Sequence, residues 1–159
     1  MKHIFLSLLL ALPVLAFEQP TERDVIQAIQ QIKENILDSQ NEEAGKVLIR
    51  FAQTSPKVKI IIGKLTAPWA DEEWGFSKDR KATLKYLVLI SYLAGNIEDQ
   101  LERENALDNP YAGWLVVIDS YEKLKQNINF KSDSIERLAA LKAAELLERH
   151  AREVRRALY

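Results

Sequence analysis

The sequence predicts an all-α protein, a single domain of about six or seven helices packed as antiparallel hairpins into an irregular bundle or short helical solenoid. Three observations carry that expectation. Apolar residues recur at i, i+3 or i+4, and i+7 through most of the chain, the spacing of one helix face. Gly and Pro number only five each in 159 residues, too few for a turn-rich β architecture. An apolar share of 47% beside 28% charged residues suits a chain that buries a core.

The first sixteen residues read as an address. Met1-Lys2-His3 is a short basic start, and Ile4 to Ala16 is apolar except for Ser7, with Pro13 near its end. This is the pattern of a secretory signal, with cleavage expected between Ala16 and Phe17. The apolar run falls well short of the ~20 residues that span a bilayer, so stable membrane insertion is not expected. The expected organisation is therefore a signal peptide over 1–16 and one all-helical domain over 17–159.

Within that domain Thr21 opens the first helix, and Asp24 three residues on completes a capping-box pattern. Val25, Ile29, Ile32 and Ile36 form its apolar face, and Asp38-Ser39-Gln40-Asn41 ends it. A second helix carries Ala44, Val47, Leu48, Phe51 and Ala52. Ser55-Pro56 is a stop, and a start for a third helix on Val58, Ile61, Ile62 and Leu65. Lys57 to Ile60 also alternates and is β-branched, which would suit a strand; the helical neighbours favour helix. Residues 66–77 form the longest irregular stretch.

Ser77 caps a fourth helix reaching about Ala94. Leu84, Tyr86, Leu87, Val88, Leu89, Ile90, Tyr92 and Leu93 surround its axis, which marks it as the central, buried helix. Gly95 is read as its stop, with Asn96 capping an acidic fifth helix to about Asn105. Asp108-Asn109-Pro110 restarts the chain, and Trp114, Val117, Ile118, Tyr121 and Leu124 form the next face. After a polar link, Ser134 opens a last helix to Tyr159. Its heptad-like seam is Ala140, Ala144, Leu147, Ala151, Val154 and Leu158. Three alanines in six positions are too small for a stable two-stranded coiled coil. The seam is therefore expected to dock within the chain, leaving a monomer.

Leu84 to Leu124 resembles a degenerate helical hairpin of the tetratricopeptide type. Gly95-Asn96-Ile97-Glu98-Asp99 matches the turn between the two helices, Ala106-Leu107 to Pro110 the end of a repeat, and Trp114 and Tyr121 the start of the next. The pattern departs at Gln100, where a small residue is expected, and at Ile118, where Gly is usual. The resemblance covers about a quarter of the chain and implies a helical scaffold that binds proteins or peptides.

Composition excludes several chemistries. There is no cysteine, hence no disulfide, thiolate nucleophile or zinc ribbon. Loss of residues 1–16 removes Lys2 and moves the formal charge from −1 to −2, which offers no basic stripe for nucleic acid. The mature chain holds one histidine, His150, read as an exposed surface residue between Arg149 and Arg152. No HExxH or EF-hand pattern occurs, and no glycine falls in a phosphate-cradling loop, so neither metal nor cofactor is expected. An exported chain without cysteine or an Asn-x-Ser/Thr acceptor suits a bacterial periplasm or secretion better than a eukaryotic route.

Trp69-Ala70-Asp71-Glu72-Glu73-Trp74 is the one concentrated constellation. Trp69, Asp71, Glu72, Glu73 and Trp74 are the candidate partner-binding residues: indoles can stack on sugars or cations, and long loops commonly carry function. Alternatively Trp69, Trp74 and Phe76 anchor the loop while Asp71 to Glu73 face solvent. No catalytic residue is assigned. The functional expectation is an exported, non-enzymatic interaction module for a protein or peptide partner. The alternative is a small envelope enzyme acting on glycan or peptide through paired carboxylates of this loop.

Overall fold

The computed structural model describes residues 19–159, so the expected leader and its cleavage point lie outside the described residues. Every regular element described is a helix: α1 (Glu22–Glu34), α2 (Asn41–Thr54), α3 (Lys78–Glu102), α4 (Pro110–Ile128), α5 (Asp133–Ala143) and α6 (Leu147–Leu158). None is long and apolar enough to cross a membrane.

The first hairpin forms as its residues dictate. The Asp24 carboxylate accepts the Thr21 N–H at 2.9 Å, and the Thr21 hydroxyl accepts the Asp24 N–H at 3.2 Å, closing the capping box. Val25, Ala28, Ile29 and Ile32 are buried along α1. The α1–α2 turn is tied by Asn41, whose amide donates to the Asn35 carbonyl at 2.7 Å. At the open end Gln19 reaches the Thr54 carbonyl, so the two helices run antiparallel.

The second hairpin is α3 against α4. The Arg80 guanidinium donates to the Ile128 carbonyl at one end, and the Asn109 N–H donates to the Asn96 side-chain oxygen at the other. Between them the Ser91 and Ser120 hydroxyls meet at 2.9 Å. The crossing is close because Gly95 and Gly113 lie in it. A Cβ at Gly95 would sit 2.3 Å from the Ala112 carbonyl oxygen, and one at Gly113 would sit 2.5 Å from the Tyr92 ring. Gly95 therefore ends nothing. The stop expected there and the separate helix from Asn96 to Asn105 do not form; α3 continues to Glu102 with Asn96 fully buried. The turn on which the tetratricopeptide resemblance rests is a helix interior.

α1 and α2 both pack on α3, and α5 and α6 both pack on α4. The result is three consecutive helix pairs with α3 at the centre, as its all-round apolar run predicts. Residues 90–97 are buried without interruption.

Two further expectations change. The helix expected over Val58–Leu65 does not form: residues 58–62 are irregular, and a turn follows over 63–66. The geometry of this segment follows from what it joins. α3 is about 37 Å long at 1.5 Å per residue. α2 delivers the chain near the far end of α3, where Lys59 meets Gln100. The chain must then return to Lys78, and eight residues wound into a helix would advance only about 12 Å. Instead the connection runs the length of α3 as a strap. Trp69 packs edge-on against Tyr92 at 5.9 Å, the Ala70 carbonyl accepts from Lys85 and Glu73 pairs with Lys81.

The long last helix is broken in two. Glu145 adopts a left-handed conformation with φ 59°, and the chain turns between α5 and α6. Ala140 and Ala144 of the expected seam are consequently exposed, whereas Leu147, Ala151 and Val154 remain buried. On α5 the buried residues are Ile135 and Leu138. Both helices dock within the chain, by a different set of residues from the continuous seam. A charge placed at Ala144 would meet solvent instead of core.

Candidate functional site

The strap positions the acidic constellation over the junction of α3 and α5. Trp69 and Trp74 are 2% and 6% exposed, so neither indole face is presented to a sugar or a cation from solution. Trp74 stands edge-on to Phe130 with centroids 4.6 Å apart, and Phe130 in turn contacts Tyr121 and Phe76. These rings seal the space beneath the loop.

The three carboxylates go three ways. Asp71 is exposed and stands 3.6 Å from the Lys64 ammonium. Glu73 is exposed and bonded to Lys81, which holds its carboxyl below the usual glutamate range. Glu72 turns inward. It accepts the Trp74 indole N–H at 2.9 Å, the Ser134 N–H at 2.7 Å and the Ser134 hydroxyl at 2.9 Å, as well as the Ser132 hydroxyl. Burial opposes its ionisation, but the bonds from Ser132, Trp74 and Ser134 outweigh burial and its pKa is lowered. Ser132 is the N-cap of α5, so Glu72 works as a second, tertiary cap at that helix end. It has four donors on it and is no general acid.

A buried polar group escaped the sequence reading. Gln100 accepts the Lys59 N–H at 2.8 Å and donates to the Lys59 carbonyl at 3.0 Å and to Asn96 at 2.7 Å. Asp108 accepts the Ile61 N–H at 3.0 Å and the Asn96 amide at 2.9 Å. Burial pushes the Asp108 carboxyl up, against those bonds, but the residue is wholly inaccessible. The signal was present: Asn96 and Gln100, one helical turn apart, extend an apolar run and need partners. His150 is likewise not a plain surface residue, since its ring stacks on Trp114 at 5.4 Å.

No group of three or more acidic or histidine side chains placed to hold a metal ion occurs among the described residues. The chain matches no known family model, curated protein or solved structure.

Elsewhere among the described residues a groove of about 790 Å³ lies between α2 and the first half of α3. One wall is Glu42, Lys46 and Ile49 of α2, at steps of four and three. The other is Arg80, Thr83, Leu84 and Leu87 of α3, at steps of three, one and three. Ile36 and Leu37 close one end, and Leu37 is 42% exposed. The floor is apolar and the charged groups stand at the rim. Of these residues, periodicity places Ile36, Leu84 and Leu87 on core faces, and Ile36 and Leu84 are buried; it gives Leu37 and Ile49 no role, because it does not mark apolar residues left at the edge of a face.

Proposed function

We propose that the protein is an exported, non-enzymatic interaction module that binds an amphipathic helical segment of a protein partner in the α2–α3 groove. The groove itself carries this reading. Half-buried Ile49 of α2 and Leu87 of α3, with exposed Leu37 at the end, leave apolar surface open between the two helices, and a third helix with anchors at i, i+3 or i+4, and i+7 would cover it. The salt-bridged rim, where Lys46 joins Glu42 and Glu43, would stay solvated around such an insert. The enzymatic alternative has less support: Asp71, Glu72 and Glu73 do not converge, and Glu72 is engaged in holding α5.

Export rests on the N-terminal pattern of residues 1–16. Intact mass of protein recovered from the cell envelope should give Phe17 as the first residue; a chain still beginning at Met1 would contradict it. For the groove, Leu37→Asp and Leu87→Glu should each abolish capture of the partner from an envelope extract. Leu37→Asp should leave the thermal midpoint nearly unchanged. Capture that survives both substitutions would remove the groove as the contact surface.

A further inference from the structure

Another concavity, of about 310 Å³, lies at the opposite end of α3, between Arg103, the start of α4 at Asn109–Tyr111, and Glu148, Arg152 and Arg155 of α6. Three guanidinium groups from two distant parts of the chain line it. Two are positioned by carboxylates: Arg103 meets Asp99 at 2.9 Å through Nε, and Arg152 meets Glu148 at 2.6 Å through one terminal nitrogen. Each guanidinium carries five N–H donors, so one carboxylate contact leaves most of them unused. Arg155 is half-buried and has no hydrogen bond or ion pair among the described residues, although it feels the charge of buried Asp108. It also lines the smaller adjoining hollow beside Asp99, Arg103 and Asn105.

Arg155 is half-buried with its guanidinium donors unused, and Arg103 and Arg152, each tied to one carboxylate, stand at the same cleft. We propose that this cleft binds a phosphate-type oxyanion, gripped by Arg155 with Arg103 and Arg152 beside it. The planar, multi-donor guanidinium suits a tetrahedral oxyanion, and the cleft has room for a phosphate with a small group attached. The site is separate from the α2–α3 groove and does not depend on the role proposed for that groove.

The test uses the purified chain at constant ionic strength. Inorganic phosphate is titrated while the arginine side-chain N–H resonances are followed by NMR, with chloride as control. Saturable shifts at Arg155 are expected, weakened about ten- to a hundredfold by Arg155→Gln, the range of a charge-assisted hydrogen bond. Arg103→Gln should weaken binding in the same direction, and Arg137→Gln, an exposed arginine on α5, should not. Vesicles with and without phosphatidic acid distinguish a headgroup from a free ion; binding confined to phosphatidic acid vesicles and lost in Arg155→Gln supports the same site with a lipid as source. Absence of saturable binding in both arms, or equal weakening by Arg137→Gln, would overturn the proposal.

Discussion

Glu72 differs from its neighbours Asp71 and Glu73 by one property: donors from two separate segments converge on it. The type of residue was readable from the sequence, and so was its concentration beside two indoles. Which of the three carboxylates turns inward depends on Ser132 and Ser134 arriving from about sixty residues away, and no local pattern carries that. Removing the group should expose its role. Glu72→Ala leaves the buried Trp74 indole N–H and the Ser132 hydroxyl without their acceptor, so unfolding free energy at pH 7 should fall by roughly 2–3 kcal/mol. The folded pKa is lowered, so Glu72's contribution is complete above the unfolded value of about 4.3 and is lost as pH falls through the lower folded one. Urea titrations of both proteins across that window should therefore converge in acid. A difference that stays constant from neutral pH to below the folded pKa would show that the Glu72 charge is not what holds α5.

At the scale of elements, helices with one clear apolar face were legible, and so was the central helix. Two departures share a cause: a local pattern does not carry the span a segment must cover or the close approach of a neighbouring helix. Val58, Ile61, Ile62 and Leu65 have helical spacing, yet only Val58 is buried and Ile62 and Leu65 are about half exposed. The strap is stretched because it must travel back along α3. Gly95 looked like a stop but serves the α3–α4 approach. The real break at Glu145 has neither Gly nor Pro to announce it. The strap is held by side chains imitating a strand neighbour: Gln100 pairs both the N–H and the carbonyl of Lys59, and Asp108 takes the Ile61 N–H. Gln100→Ala should release the first of these. It should cost roughly 1–3 kcal/mol for the orphaned groups, and hydrogen exchange at the Lys59 amide should accelerate far more than at Ile61. Equal acceleration at both amides would mean that the strap opens as one unit and that Gln100 is not a separate latch.

Across the whole molecule every layer is referred to α3. α1 and α2 cover one side, the strap runs down another, and α4 closes against it through the glycine crossing, carrying α5 and α6 on its far face. A bundle arranged in this way should be most sensitive where α3 meets α4, because displacing that pair moves both outer pairs. Gly95 supplies the test. An added methyl there would meet the Ala112 carbonyl oxygen at 2.3 Å and Val116 at 2.8 Å. The first obstacle is backbone and cannot rotate away, so α4 itself must shift. Alanine is the better helix former by about 1 kcal/mol, which works in favour of the substitution. Overpacking of a close crossing costs about 1–3 kcal/mol and more when backbone is the obstacle, so Gly95→Ala should be destabilising on balance. Gly63, on the exposed strap with nothing within 4 Å of an added Cβ, is the control, and Gly63→Ala should change stability by no more than about 0.5 kcal/mol. Denaturant midpoints for the two variants decide the matter. If Gly95→Ala matches or exceeds the parent protein, the glycine crossing is not the tight point of the fold, and α3 and α4 have room to part without disturbing the pairs packed on them.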